Sequence, residues 1–428
     1  MNIRRMFYRP RACCSFAVIT YAFVLGVTFT LIQTASEIFI DSFRHGKQDL
    51  NGNGAGNTAD QSPQLAQIIR RSILNYGPRF QVLPSLFSKY DENADDYSTP
   101  KTATHILIVT NRRSGSSFLG QLFNQNKNIF FHFEPLKSIE QTVPRQFFPG
   151  NSTEMISDIF KCRFPPKHLL LNFYSRNYLH RMSSRVLSSS PLCEPEETSA
   201  KRPTCKALKS TTTRSECTKY KQFAIKTIRF AKLQDIEPLA RDPSLNLKII
   251  HLVRDPRGTF ISRAKSEKKP MDMTADELNN VRYLCLRMQQ NLEFVTNVPT
   301  PDWLKGIYKI VRYEDMARKP AETAQDIYDF AGLGRLPRNV VQWLRNNTKT
   351  SRGDSYAVTR NSSATWQEWR YSIPFETSVG IQDVCRDVLR LLGYREVPMQ
   401  YLLRDAREDL LKPLPSIWNS LHRPKDIS

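Results

Sequence analysis

The sequence predicts an α/β domain built on a central parallel sheet with helices on both faces, and two observations support this. Short runs rich in apolar and β-branched residues recur along the chain, at 105–110, 129–133, 223–228, 247–253 and 307–313. Amphipathic stretches with apolar residues three and four positions apart follow some of them, as at 323–333 and 379–393. Strands that are apolar throughout are buried on both faces, and their alternation with helices is typical of a covered parallel sheet.

The segment before this domain begins with an apolar run at 12–32, which holds 21 residues without a charge. A helix of this length crosses about 30 Å of hydrocarbon. Four arginines precede the run, whereas Glu37 and Asp41 follow it. This charge bias predicts that the N-terminus stays in the cytoplasm and that the rest of the chain enters the lumen.

We therefore expect a cytoplasmic tail at 1–11, an uncleaved signal anchor at 12–32 and a polar stem at 33–102. A lumenal domain at 103–428 would follow, with a cysteine-containing insertion at about 150–221. A cleaved signal peptide is the alternative reading of the apolar run. The run is longer than the usual apolar region of such peptides, and no A-x-A-like cleavage site follows it.

The cysteines fit an oxidising compartment, since six of the eight lie beyond the apolar run. An even number in the lumen predicts disulfides, although six cysteines allow 15 pairings. No paired C-x-x-C motif is present, so no metal site is expected. Sequons at Asn151, Asn346 and Asn361 are candidate glycosylation sites and agree with a lumenal route.

The charge of the chain indicates an affinity for polyanions. There are 62 Lys and Arg against 41 Asp and Glu, which gives a net charge of +21. Nucleic acid, an anionic membrane and an acidic polysaccharide are all possible partners on this basis. The predicted lumenal topology and the absence of a recognised nucleic-acid motif disfavour nucleic acid.

The first motif that carries chemistry is RRSGSSF at 112–118, between a predicted strand and a predicted helix. Its backbone N–H groups at the helix start would favour a phosphate-like anion. We take the anion-binding candidates to be the loop residues Arg112, Arg113, Ser114, Gly115, Ser116, Ser117 and Phe118. The G-x-x-x-x-G-K-[ST] motif of nucleotide kinases is absent, which disfavours phosphoryl transfer from ATP.

The second motif is HLVRDPRGTFISRAKS at 251–266. An apolar strand ends at Arg254, Asp255 is placed to cap the next helix, and Pro256 suits the first helical position. Arg254 and the hydroxyl of Ser262 could then converge on one phosphate. A salt bridge and a surface serine are the alternative for this motif in isolation.

Together the two motifs resemble the carbohydrate 6-O-sulfotransferases of the Golgi, in particular the keratan sulfate galactose and chondroitin 6-O-sulfotransferases. The likeness continues through FNQNKNIFFHFEPL at 123–136 and WLKGIYKIVRYEDMARKP at 303–320, and it spans roughly 103–395. It implies a P-loop nucleotide-kinase-like sulfotransferase fold in a Golgi type II membrane protein. It also implies 3′-phosphoadenosine 5′-phosphosulfate as co-substrate, a sulfated or acidic glycan as acceptor, and no metal.

The resemblance also assigns roles to residues. Arg113 to Phe118 correspond to the loop for the 5′-phosphosulfate, and Arg254 and Ser262 to the 3′-phosphate site. Tyr313 corresponds to a position that contacts adenine in related enzymes, although a core tyrosine fits equally well. Two departures are Arg112, where a small residue or Thr is usual, and Lys137, where an aromatic residue is common.

Glu134 is the candidate base, because it follows the second predicted strand at the edge where parallel sheets bind ligands. Removal of the proton from a sugar hydroxyl needs a base aimed at the acceptor. The alternative is that Glu134 holds Arg113 in an ion pair, with His132 as the next candidate base. We interpret His105, His132 and His251 as packed histidines, and Trp366, Trp369 and Arg370 as core residues or as a cover over the ligand.

The resemblance therefore implies a transferase that moves a sulfuryl group from 3′-phosphoadenosine 5′-phosphosulfate to the 6-hydroxyl of galactose or N-acetylgalactosamine in a glycan such as keratan or chondroitin sulfate. A membrane-anchored glycan-binding protein with the same fold and no catalysis is the alternative. The presence of Arg113, Glu134, Arg254 and Ser262 argues against that alternative.

Overall fold

The computed structural model describes residues 103–193, 205–297, 299–348 and 365–418. All of them belong to one structural unit, Arg79–Ser428. The predicted tail, signal anchor and stem lie outside the described residues, as do Asn361 and Cys13 and Cys14 of the apolar run. Within the described ranges, no helix combines the length and the apolar character needed to cross a membrane.

Five strands form one sheet in which every neighbouring pair is parallel, in the order β2-β3-β1-β4-β5. The strands are β1 Thr104–Thr110, β2 Ile129–Phe133, β3 Gln222–Thr227, β4 Leu247–Val253 and β5 Tyr308–Arg312. Each coincides with one of the predicted apolar runs to within one residue at either end. The predicted parallel sheet is confirmed.

The helices cover both faces of the sheet, as predicted. In chain order they are α1 Ser116–Asn124, α2 Lys137–Glu140, α3 Phe148–Phe160, α4 Leu169–Arg176, α5 Tyr178–Met182, α6 Ser210–Cys217, α7 Glu237–Ala240, α8 Pro256–Glu267, α9 Ala275–Thr296, α10 Tyr313–Arg318, α11 Pro320–Phe330, α12 Arg338–Thr348, α13 Trp369–Ser372, α14 Phe375–Leu392 and α15 Gln400–Arg404. The predicted helices at 323–333 and 379–393 correspond to α11 and α14.

Two hydrophobic cores lie on opposite faces of the sheet, because alternate side chains of a strand point in opposite directions. In β1, Leu107 and Val109 belong to the larger core, whereas Ile106 and Ile108 belong to the smaller one. Burial of apolar surface on both faces stabilises the folded state by roughly 25 cal/mol per Å². A shift in register would expose these side chains, so burial holds the strands and their ends in place.

The region at about 150–221 is more regular than its sequence indicates. Helices α3 to α6 occupy much of it, and the disulfides Cys162–Cys217 and Cys193–Cys205 lie within it. The third disulfide, Cys285–Cys385, joins α9 to α14. The expectation that the six cysteines beyond the apolar run form disulfides is confirmed, and the structure supplies the pairing.

Asn151, one of the three predicted glycosylation candidates, is disfavoured by the fold. Asn151 lies within α3 with no exposed surface, and its Nδ2 donates a hydrogen bond to the Phe147 carbonyl at 2.8 Å. A glycan on that nitrogen would have to occupy the packed core. Asn346, by contrast, is an exposed residue of α12 and remains a candidate.

Candidate active site

An open cavity of about 800 Å³ lies at the carboxyl ends of the strands. Its lining comes from the loop after β1 and the start of α1, from the ends of β2 and β3, and from the helices α2, α5, α8, α10 and α13. The carboxyl ends of parallel strands meet at one edge of a sheet, which is why residues far apart in sequence converge there. The two sequence motifs and Glu134 all contribute to this one cavity.

The loop after β1 turns sharply into α1 at Gly115, whose backbone is left-handed with φ 84°. A Cβ at this position would lie 2.5 Å from Cδ2 of Tyr313, so only glycine fits. No side chain among the described residues caps α1. The first N–H groups of the helix are therefore available to an anion.

The loop residues do not all border the cavity. Arg112, Arg113, Gly115, Ser116, Ser117 and Phe118 line it, whereas Ser114 is buried beneath the loop and does not. The side chain of Arg112 is about half exposed and pairs with Glu267 of α8 at 3.1 Å. Arg112 thus borders the cavity, but its charge is already engaged in an ion pair with Glu267.

The two motifs make direct contact. Nε of Arg113 donates to Oγ of Ser262 at 3.1 Å, and Nη1 of Arg254 donates to the Arg113 carbonyl at 2.9 Å. The guanidinium of Arg254 lies over the ring of Tyr313, 4.3 Å from its centroid. The Nε of Arg254 is buried and has no hydrogen-bond partner in the described part of the chain.

A network of buried charges fixes the turn from β4 into α8. Asp255 caps α8 by accepting from the backbone N–H of Arg257 at 2.9 Å, as predicted, and it also pairs with the Arg257 side chain at 2.8 Å. The backbone N–H of Asp255 donates to Glu314 at 3.1 Å, and the Tyr394 hydroxyl donates to the same carboxylate at 2.7 Å. Burial raises the pKa of Glu314 to about 7, and the charge of Asp255 adds to this shift. Glu314 was not among the residues predicted from the sequence, although it lies in the stretch at 303–320.

Glu134 is almost fully buried and is paired with two cations from the adjacent strand end. Nζ of Lys226 lies 2.5 Å from its Oε1, and Nη1 of Arg229 bonds its Oε2. The backbone N–H of Ile228 donates to Oε2 at 3.4 Å. The alternative partner for Glu134, Arg113, is wrong: the parallel register places Phe133 opposite Lys226 and so brings Glu134 to β3.

A second carboxylate, Glu140, extends the charged cluster of Glu134, Lys226 and Arg229 toward solvent, and half of its side chain is exposed. Nε of Arg229 donates to its Oε2 at 3.0 Å, and Nζ of Lys137 lies 3.6 Å from the same oxygen. Burial lowers the pKa of Lys226, with Glu134 opposing that shift. Lys226 and Arg229 were not predicted from the sequence, because a lysine and an arginine near a strand end carry no motif of their own.

Arg113 and Glu134 share an unusual backbone. Both have positive φ, 71° and 52°, although neither is glycine. A left-handed conformation costs a residue with a side chain about 1–2 kcal/mol. Such strain persists where surrounding contacts hold it in place, and it clusters at functional sites.

The histidines predicted to be packed are buried. Desolvation lowers the pKa of His105 and of His251 to about 4 and that of His132 to about 3. None of the three lines the cavity, which disfavours His132 as a reserve base. His180 of α5 does line it, and burial lowers its pKa against the opposing charge of Glu134.

Trp369 and Arg370 are neighbours in sequence but have separate roles. Trp369 is buried but borders the cavity, and the Arg257 guanidinium lies 4.9 Å from its ring centroid. Arg370 is buried and donates to the backbone carbonyls of Leu402, Leu403, Asp405 and Glu408. Arg370 therefore anchors the C-terminal segment and does not bind ligand.

No group of three or more His, Cys, Asp or Glu in the described ranges could hold a metal ion.

The fold and the site define an α/β protein in which a glycine-containing loop and an uncapped helix start border a cavity at one edge of a parallel sheet. The sulfotransferase domain family matches residues 103–393, and this range includes every cavity-lining residue named above. Carbohydrate sulfotransferase 1 of Mus musculus is 33% identical over 361 residues, covering 73% of this chain and 83% of that protein. Carbohydrate sulfotransferase 3 of Homo sapiens is 32% identical over 354 residues, covering 73% and 72%.

The chain belongs to the carbohydrate sulfotransferases and is an enzyme that transfers a sulfuryl group to a carbohydrate. Among solved structures, mouse sulfotransferase SULT7A1 complexed with PAP has a TM-score of 0.35 at 13% identity, covering 69% of this chain and 86% of that one. The sulfotransferase domain of the Synechococcus PCC 7002 olefin synthase has a TM-score of 0.37 at 13% identity, covering 69% and 98%. The family assignment rests on the sequence relatives and not on these likenesses.

Proposed function

We propose that the chain transfers the sulfuryl group of 3′-phosphoadenosine 5′-phosphosulfate to the 6-hydroxyl of galactose or N-acetylgalactosamine in a glycan such as keratan or chondroitin sulfate. The observation that carries the proposal is the contact of Arg113 with Ser262 in the same cavity as Glu134. This contact joins the two anion-binding motifs at one end of the cavity. The carboxylate lies in the same cavity, where an acceptor can enter.

The donor end of the cavity suits a nucleotide with two phosphate groups. The start of α1 and Arg113 would hold the 5′-phosphosulfate, with Ser116, Ser117 and Phe118 beside it. Arg254 and Ser262 would hold the 3′-phosphate, which would give the buried Nε of Arg254 a partner. Tyr313 would lie against the adenine while its other face packs on Arg254.

The acceptor end suits a sugar hydroxyl. A carboxylate has about four acceptor positions, and Glu134 uses three of them on Lys226, Arg229 and Ile228. The fourth would take the proton while the hydroxyl oxygen forms its bond to sulfur and the bond from sulfur to the phosphate oxygen breaks. Arg113 and the N–H groups of α1 would stabilise the charge that develops on the leaving phosphate.

We further propose that this reaction occurs in the Golgi lumen, with the chain anchored as a type II membrane protein by residues 12–32. The three disulfides agree with an oxidising compartment. The excess of basic residues would favour an acidic polysaccharide as the acceptor.

Incubation of the lumenal protein with labelled donor and a panel of desulfated chondroitin, desulfated keratan and N-acetyllactosamine tests the proposal. We expect label on the 6-hydroxyl of galactose or N-acetylgalactosamine, located by disaccharide analysis. Label at another position would reject the 6-O assignment. Tight glycan binding without any transfer would support the non-catalytic alternative.

A further inference from the structure

Arg229 has bonding capacity that its ion pairs do not use. Its Nη1 bonds Glu134 and its Nε bonds Glu140 at 3.0 Å. Its Nη2 makes no hydrogen bond with any described residue, and Arg229 lines the cavity. A guanidinium whose Nε and Nη1 are each held by a carboxylate is fixed in orientation, so the N–H donors of its Nη2 have a defined direction.

Lys137 supplies a second cation beside Arg229. Both side chains contact the same oxygen of Glu140, and about a third of the Lys137 side chain is exposed. On this side of the cavity three cations, Lys137, Lys226 and Arg229, face two carboxylates, Glu134 and Glu140. One positive charge is left over, and since Lys226 and Glu134 are buried against each other, it lies at Arg229 and Lys137.

We propose that Arg229, assisted by Lys137, binds an anionic group of the acceptor glycan, a sulfate ester or a carboxylate, beside the hydroxyl that is sulfated. This inference rests on the proposed function of the same cavity. An arginine fork matches the paired oxygens of a sulfate or a carboxylate. Arg229 also bonds Glu134 through its Nη1, so an anion held by its Nη2 lies one guanidinium away from the proposed base.

This subsite makes acceptor charge a determinant of specificity. An acceptor that already carries an acidic group gains a charged hydrogen bond to Arg229, whereas a neutral chain does not. Acidic acceptors therefore bind more tightly at this end of the cavity.

The test compares Arg229→Gln with the unchanged enzyme on keratan sulfate, desulfated keratan and desulfated chondroitin. Keratan sulfate presents sulfate esters, desulfated chondroitin presents carboxylates, and desulfated keratan presents neither. Arg229→Gln should raise the KM for the anionic acceptor about 10-fold, with little change in the KM for desulfated keratan. Any disturbance of Glu134 acts on all three acceptors, so it cancels in the ratio of their kcat/KM values.

Two further variants keep the test decisive. Arg229→Lys retains the charge beside Glu134 but lacks the fork, so it should fold and lose part of the preference for anionic acceptors. Arg241→Gln removes a similar arginine from an exposed ion pair with Glu237 outside the cavity, and its acceptor ratio should not change. If the Arg229 variants lose activity selectively on keratan sulfate, the group bound by Arg229 is a sulfate ester. If they lose it selectively on desulfated chondroitin, the bound group is a carboxylate.

An unchanged acceptor ratio in folded Arg229→Gln and Arg229→Lys overturns the inference, as does an unmodified enzyme without a preference for acidic chains. In both cases transfer to glycans would still be measured, so the proposed function would stand. If the unmodified enzyme transfers label to none of the glycans, the proposed function itself fails. The two failures are therefore distinguishable.

Discussion

Nε of Arg113 lies 3.1 Å from Oγ of Ser262, although 149 residues separate them in sequence. One belongs to the loop after β1 and the other to α8. Arg254 reinforces the contact by donating to the Arg113 carbonyl. The loop and the helix thus lie together on the wall of one cavity, where side chains of both motifs could reach the same ligand.

Arg254→Ala and Ser262→Ala should each raise the KM for the donor more than the KM for the acceptor. Each removes a partner of the proposed 3′-phosphate, and the lost charged hydrogen bond of about 1.5–3 kcal/mol corresponds to roughly 10- to 100-fold. Initial rates at varied donor concentration provide the measurement. Unchanged donor affinity in a folded variant would dismiss the 3′-phosphate assignment.

Glu134→Gln should lower kcat by about 10²–10⁴, because the amide cannot accept the proton. It should also lower Tm, since buried Lys226 loses its charged partner. Binding to immobilised adenosine 3′,5′-bisphosphate should be retained, because Arg113 is held by Ser262 and not by Glu134. Turnover is measured well below the Tm of the variant. Full turnover with a lowered Tm would show a purely structural role.

Gly115→Ala should weaken donor binding by at least about 10-fold. The added Cβ would lie 2.5 Å from the Tyr313 ring, which itself packs on Arg254. The matched control is Gly306→Ala, where φ is also positive, at 74°, but no atom lies within 4 Å of the new Cβ. The control should lose only about 1 kcal/mol of stability and keep its donor affinity. Equal effects of both changes would mean that backbone strain alone is responsible.

Glu314→Gln should reduce the loss of stability that accompanies a rise in pH from about 5 to 8. The pKa of Glu314 is raised from its usual value of 4.5 to about 7, so the folded state binds the proton more tightly than the unfolded state. Stability from this group is full below about 4.5 and is lost as pH rises toward 7, at about 1.4 kcal/mol per pKa unit. The measurement is the free energy of unfolding against pH for both proteins. Parallel curves would contradict the raised pKa.

Asn346→Gln should remove one glycan from protein made in cells, because Asn346 is exposed on α12. Asn151→Gln should leave the electrophoretic mobility unchanged, since Asn151 is buried and its amide is bonded. Glycosidase treatment of each variant provides the comparison. If neither the unmodified chain nor the variants respond to the glycosidase, the lumenal proposal loses its main test.

The sequence by itself determined the five strands, the loop at 112–118 and the cap at Asp255, because these depend on local patterns. Apolar runs and amphipathic periodicity indicate which residues are buried, and a Ser- and Gly-rich turn between strand and helix is typical of an anion site. The same patterns identified Arg254 and Ser262 as candidates. The cysteine count predicted disulfides, although not their pairing.

Only the tertiary structure decided which charges meet. Glu134 and Lys226 are 92 residues apart, and they pair because β2 lies next to β3 in a register that sets Phe133 opposite Lys226. Strand order depends on how the whole chain packs, and no local pattern encodes it. For the same reason Asn151, part of a valid sequon, is buried in α3, and His180, in a region with weak patterning, reaches the cavity.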